Sequence, residues 1–199
     1  MKFLLPVSEQ DLDRNYQSVM SEIDSLSLQR VPEVIKHWPE FVESAGSWEC
    51  LKELHVMLFG GLFDFAGEFR KRNISKGGFR FANCMFLESN VPLIAAMSQN
   101  NFDEILAKYI EMNIAHPFRE GNGRAMRLWL DAMLERELDT RINWHKISRE
   151  DYLSAMSRSP VNSLELEVLL KSAFIEPASM HDESLFTLCM SASYSYERF

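Results

Sequence analysis

Apolar residues recur at helical spacing over most of the chain. After Ser8, the residues Leu12, Tyr16, Val19, Met20, Ile23 and Leu26 fall on one face, and Ser8 with Asp11 reads as a capping pair. A shorter helical segment follows around residues 34–43, broken by Pro39. Ser47 can cap a helix carrying Trp48, Leu51, Leu54 and Leu58, which the pair Gly60-Gly61 ends or bends. Phe102, Ile105, Leu106, Tyr109 and Met112 form the next stripe, closed near Pro117. Met126, Leu130, Met133, Leu134 and Leu138 form the one after it. Ser148 caps a helix with Leu153 and Met156, and Asn162 or Ser163 caps one with Leu166, Leu169 and Leu170. A last helix runs from about Glu183 towards the end.

One stretch breaks the helical period. In residues 73–83, Ile74 lies on one side of Gly77-Gly78 and the alternating Phe79 and Phe81 on the other. That is the pattern of a short β-hairpin turning at the glycine pair. The expected architecture is mainly α with one hairpin interrupting it. All eight glycines lie between Gly46 and Gly123, so special backbone belongs in the middle of the chain.

Composition narrows the function classes. A chain of 199 residues, 46% apolar and 25% charged, suits one soluble domain with its own core. Cys50, Cys84 and Cys189 are far apart and odd in number, which supports neither a disulfide framework nor a zinc site. No apolar run reaches membrane-spanning length, and the start MKFLLPVSEQDLD turns acidic too early for a signal peptide. A reducing, cytoplasmic setting is the expectation, with no membrane partner. The net charge of -8 argues against direct binding to nucleic acid. His37, His55, His145 and His181 lack metal-ligand spacing and read as structural or surface residues. The basic cluster Arg70-Lys71-Arg72, with Lys76 and Arg80, reads as a solvated face or as a dock for an acidic target edge.

The chemistry concentrates in residues 116–127, His-Pro-Phe-Arg-Glu-Gly-Asn-Gly-Arg-Ala-Met-Arg, between two amphipathic helices. Pro117 stops the first helix, and Gly121 and Gly123 bracket Asn122 at the start of the second. Small residues there let backbone N–H groups converge at a positive helix end, an anion nest suited to phosphates. Arg124 and Arg127 share a face, and guanidinium groups grip phosphate oxygens in a bidentate way. Glu120 sets one carboxylate beside the nest, and Mg²⁺ is commonly held by one carboxylate with phosphate oxygens and water. His116 stands at the edge with a side chain able to take a proton near neutral pH. Base, metal ligand, nest and two arginines describe a nucleotide phosphate site.

This segment resembles the signature of the Fic proteins, HxFx(D/E)GNGRxxR, at every defined position. The resemblance extends over roughly residues 50–160, including residues 58–70 and the expected hairpin. It implies a Fic-type helical bundle core with one β-hairpin flap. It also implies transfer of AMP from ATP to a hydroxyl side chain of a target protein. His116 is then the general base and Glu120 the Mg²⁺ ligand. Gly121, Asn122 and Gly123 form the anion hole, Arg124 contacts the β-phosphate and Arg127 the γ-phosphate. Asn113 and Lys76 would border the nucleotide. Ile74, Lys76, Gly77, Gly78, Phe79, Arg80 and Phe81 would form the target-docking flap.

The tail carries a second resemblance. Residues 193–198, Ser-Tyr-Ser-Tyr-Glu-Arg, are similar to the family's inhibitory motif (S/T)xxxE(G/N), with Arg198 departing from it. That implies a C-terminal inhibitory helix in which Glu197, one turn after Ser193, pairs with Arg127. Tyr194 and Tyr196 would be sites of self-modification when this helix undocks. The expected organisation is a single Fic domain over 1–199. It comprises an N-terminal helical extension to about 46, a core over about 47–175 and the inhibitory helix over about 183–199. Small bacterial members act on type II topoisomerases such as gyrase, so the resemblance carries that target class with it. Apolar family surfaces imply self-association into a homo-oligomer. The alternatives are a catalytically silent interaction module and transfer of another phosphate-containing group.

Overall fold

The structure, a computed structural model, describes residues 5–76 and 78–176. The expected inhibitory helix with Ser193, Tyr194, Tyr196 and Glu197 lies outside the described residues, as does Gly77. Ser8 caps the first helix, α1 (Glu9–Leu28), its side chain accepting from the Asp11 N–H at 3.2 Å. The segment around Pro39 is two helices, α2 (Val31–Lys36) and α3 (Trp38–Glu43). Pro39 sits in the first turn of α3 and starts that helix instead of breaking one, because its missing N–H is not needed there. Ser47 caps α4 (Trp48–Phe59) through the Cys50 N–H, and the helix ends at Gly60.

The hairpin pairs β1 (Ser75–Lys76) with β2 (Phe79–Arg80), in the register Ser75 to Arg80 and Lys76 to Phe79. It is shorter than residues 73–83. The Phe81 N–H still reaches the Ile74 carbonyl at 3.3 Å, and the Ala82 N–H bonds the Ile114 carbonyl at 2.9 Å. The hairpin's exit thus folds back against the helix that carries Ile114, further along the chain than the next one. Next come α5 (Leu87–Ala95), α6 (Phe102–Ala115), α7 (Asn122–Leu138), α8 (Arg149–Arg158) and α9 (Leu164–Lys171). The sequence reading has no counterpart of α5, whose interior holds Pro92.

α7 is the axis of the fold. It is buried almost all round, from Arg124 to Leu134, with α4, α6 and α3 packed against it. The apolar stripe on α7 therefore understates its burial. Arg124, Arg127 and Asp131, all polar, are enclosed with the stripe. Asp131 explains its own place, because its carboxylate accepts from the Ile142 N–H at 3.1 Å and from Trp144 Nε1 at 3.0 Å. Among the described residues, no helix is long and apolar enough to cross a membrane.

Candidate active site

The loop between α6 and α7 is built by backbone necessity. His116 closes α6 in the left-handed region, at φ 48° and ψ 65°, and Gly121 opens α7 at φ 81°. At Gly121 a Cβ would also lie 2.4 Å from the Phe59 ring, so glycine is required twice over. Asn122 locks the turn with its side chain. Its Oδ1 accepts from the Phe118 N–H at 2.9 Å and its Nδ2 donates to the Phe118 carbonyl at 2.8 Å. Phe118 is fully buried and stacks on Trp48 and His55.

Two residues outside the loop fix it from behind. Arg70 is 2% exposed, and its Nε donates to the His116 carbonyl at 2.8 Å. Its other nitrogens donate to the Arg72, Ala82 and Ala115 carbonyls. Arg70 thus leaves the solvated basic face expected of residues 70–72 and ties the flap's root to the His116 loop. Lys71 stays exposed on that face. Burial pushes the Arg70 guanidinium below its ordinary pKa, and a guanidinium starts so high that it remains charged. His55 is buried, with Nε2 at 2.8 Å from the Glu120 carbonyl and Nδ1 accepting from the Gly67 N–H at 3.1 Å.

A cavity of about 470 Å³ opens in front of the loop. Lys76, Phe79 and Phe81 of the flap form one wall, and Asn113, His116, Gly123 and Arg127 form the floor. Arg149, Tyr152, Leu153 and Ser154 of α8 line the far side. Phe81 stacks on the His116 ring with centroids 3.8 Å apart. Arg127 is fully buried, with its guanidinium 5.7 Å from the centre of the Trp144 ring. Glu120 is 1% exposed, and its Oε1 lies 3.6 Å from Lys76 Nζ. The N-terminal end of α7, the positive end of a 17-residue helix, opens beside Gly123.

Of the expected site residues, Lys76, Phe79, Phe81, Asn113, His116, Gly123 and Arg127 thus meet at one place, from two separated parts of the chain. Arg124 does not. It is 2% exposed and absent from the cavity wall, with its guanidinium held by Asp24 and Ser27 of α1. Here its guanidinium is engaged by a buried acidic partner on α1 and does not face the cavity. Asn122 likewise serves the loop with its side chain, which leaves only its backbone to face an anion. Ile74 and Arg80 lie on the flap without lining the cavity. The α8 residues were not anticipated. Their signal, the Ser148 cap with Leu153 and Met156 after it, places a helix there and says nothing of where it packs.

A helical bundle around a buried central helix, with a glycine-bracketed loop beneath a hairpin, is the Fic type of fold. Residues 47–134 match the model of the Fic/DOC family. The protein adenylyltransferase VbhT of Bartonella schoenbuchensis is 33% identical over 138 residues, covering 63% of this chain and 27% of that protein. The probable protein adenylyltransferase Fic of Escherichia coli is 25% identical over 139 residues, covering 64% of this chain and 69% of that protein. Among solved structures, BepC of Bartonella tribocorum with bound AMPPNP superposes with a TM-score of 0.63 at 17% identity, covering 80% of this chain and 87% of that one. The chain spans about a quarter of the length of VbhT.

Proposed function

We propose that this chain is a protein adenylyltransferase that moves AMP from Mg²⁺-ATP to a hydroxyl side chain of a target protein. The observation that carries the reading is the convergence of His116, Gly123, Arg127 and the flap on one cavity, with the Glu120 carboxylate beside it. The names of the relatives, and the ATP analogue held by BepC, support the same reading.

In this account the target hydroxyl oxygen attacks the α-phosphorus of ATP. The bond from that phosphorus to the bridging oxygen breaks, and pyrophosphate leaves. His116 takes the hydroxyl proton as the new bond forms. Phe81 against its ring and Arg70 on its carbonyl hold the imidazole in place. Arg127 and the positive end of α7 stabilise the phosphate charge.

Glu120 fits a Mg²⁺ ligand: it is a buried carboxylate whose Oε1 already faces a cation, the Lys76 ammonium on the flap, whose place the ion would take. When bound, the ion would neutralise phosphate oxygens and so favour departure of pyrophosphate. The flap would align an extended target segment by main-chain hydrogen bonds, with Ile74 to Phe81 as the docking edge.

Regulation by the tail belongs to the same reading. Glu197, with Ser193 a turn before it, would pair with Arg127 and keep the γ-phosphate from its place. Tyr194 and Tyr196 would accept AMP when the tail undocks. A cytoplasmic setting, a target such as a type II topoisomerase and self-association complete the proposal. Its test is mass spectrometry of a cell lysate treated with the Glu197→Gly variant and ATP. Adenylylated Ser, Thr or Tyr peptides that vanish with Glu197→Gly/His116→Ala are expected. A lysate with no adenylylated protein would overturn the reading in favour of an interaction module.

A further inference from the structure

A helix outside the family-matched segment reaches into its phosphate loop. On α1, Glu9, Asp13, Tyr16, Met20, Asp24 and Ser27 follow one another three or four apart and so share one face. That face meets the loop nearly residue by residue. Asp13 Oδ1 accepts from Arg119 Nη2 at 2.5 Å, and Glu9 is 4.0 Å from Arg119 Nε. The Tyr16 hydroxyl donates to Glu120 Oε2 at 3.0 Å. Asp24 and Ser27 hold Arg124. Met20, between the rungs, is buried in the core. The α1 backbone departs from helical geometry at Asn15, at φ −137° and ψ 37°, immediately before Tyr16. The helix therefore bends at the point where its hydroxyl meets the carboxylate.

We propose that Tyr16 is a positioning residue for Glu120, setting how tightly the site takes a divalent cation. This rests on the adenylyltransferase reading, in which Glu120 is the metal ligand. A glutamate has three rotatable bonds, and a fixed donor on one oxygen removes most of that freedom before a cation arrives. Tyr16 occupies Oε2. Oε1 accepts from the Gly121 N–H at 3.2 Å and faces the Lys76 ammonium at 3.6 Å, so Oε1, where a cation already sits, is the cation side of the carboxylate. The chemistry of the donor matters as well. A neutral hydroxyl orients the carboxylate without cancelling its charge, whereas a lysine or arginine in that position would repel the incoming ion. The ion pairs on either side, Asp13 with Arg119 and Asp24 with Arg124, fix the register of α1 against the loop and hence the reach of the hydroxyl.

Tyr16→Phe removes one oxygen and keeps the ring. The readout is the factor by which Mg²⁺ tightens ATP binding, taken as the ratio of the ATP dissociation constants in EDTA and in Mg²⁺ by calorimetry. Tyr16→Phe should cut that factor roughly 10-fold, the usual scale for losing a partner that orients a metal ligand, with ATP affinity in EDTA unchanged. Met20→Ala thins the same helix without touching the loop and should leave the factor as in wild type. A wild-type factor in Tyr16→Phe, or an equal loss in Met20→Ala, would overturn the positioning role. If Glu120→Ala also keeps the wild-type factor, the metal assignment itself is wrong and the role of Tyr16 falls with it.

Discussion

Arg70 donates from Nε to the carbonyl of His116 at 2.8 Å, joining the root of the flap to the residue that bears the imidazole. The carbonyls of Arg72, Ala82 and Ala115 take its remaining donors. One side chain therefore holds both ends of the flap and the left-handed residue beneath it. Arg70→Met should destabilise the fold by about 2–4 kcal/mol, since four acceptors lose a charged donor together. Arg70→Lys should recover part of the stability and little of the activity, because a point charge cannot reproduce the planar fork. Denaturant midpoints and transfer rates for the two variants check this.

Gly121 and Gly61 separate two reasons for glycine. Both have positive φ, 81° and 71°, but a Cβ at Gly61 meets nothing within 4 Å, whereas at Gly121 it meets Phe59. Gly61→Ala should cost about 1 kcal/mol, for backbone strain alone. Gly121→Ala should cost several times that and abolish transfer, since the loop must move off Phe59. Thermal unfolding of the two variants, side by side, gives the comparison.

Lys108 offers a test in pH. It is 2% exposed and donates to the Ala95 carbonyl at 2.7 Å, the Met97 carbonyl at 3.1 Å and Gln99 Oε1 at 2.6 Å. It thereby caps the C-terminal end of α5. Burial, assisted by the charge of Arg136 and opposed by Glu137, pushes its ammonium down from 10.5 to about 8. Between those values the unfolded chain binds more protons than the folded one, so stability rises with pH. Lys108→Met lacks this term. The unfolding free energy of wild type minus that of Lys108→Met should rise from pH 8 to pH 10, and a constant difference would contradict the shift.

The tail makes a prediction about activity. Glu197→Gly should raise transfer by roughly 5–150-fold, the usual scale of such coupling. Arg127→Ala should lower it, and the double variant should behave as Arg127→Ala, because the glutamate then has nothing to pair with. A peptide map of residues 190–199 after ATP treatment reports whether Tyr194 or Tyr196 takes up AMP.

How far the sequence could be read depended on distance along the chain. The loop from His116 to Arg127 stood out because its parts are contiguous, with the glycines marking where its backbone turns. Caps at Ser8, Ser47 and Ser148 were legible for the same reason, since each bonds an N–H three residues on. α5 escaped because Pro92 interrupts a short pattern that tertiary packing of Leu87 and Val91 completes. Arg70 looked like one more charge in a basic run, and His55 like a stray imidazole. Their acceptors lie 46 and 65 residues away, beyond anything spacing encodes. The grip of α1 on Arg124 was hidden on similar grounds, because its partner Asp24 is 100 residues distant.

The most direct test of the account compares ATP labelled on the α-phosphate with ATP labelled on the γ-phosphate, using the Glu197→Gly variant and a lysate as source of target. The account predicts label on protein from the α position only, dependent on Mg²⁺ and lost in Glu197→Gly/His116→Ala. Label transferred from the γ position, or α-label that survives loss of His116, would contradict it.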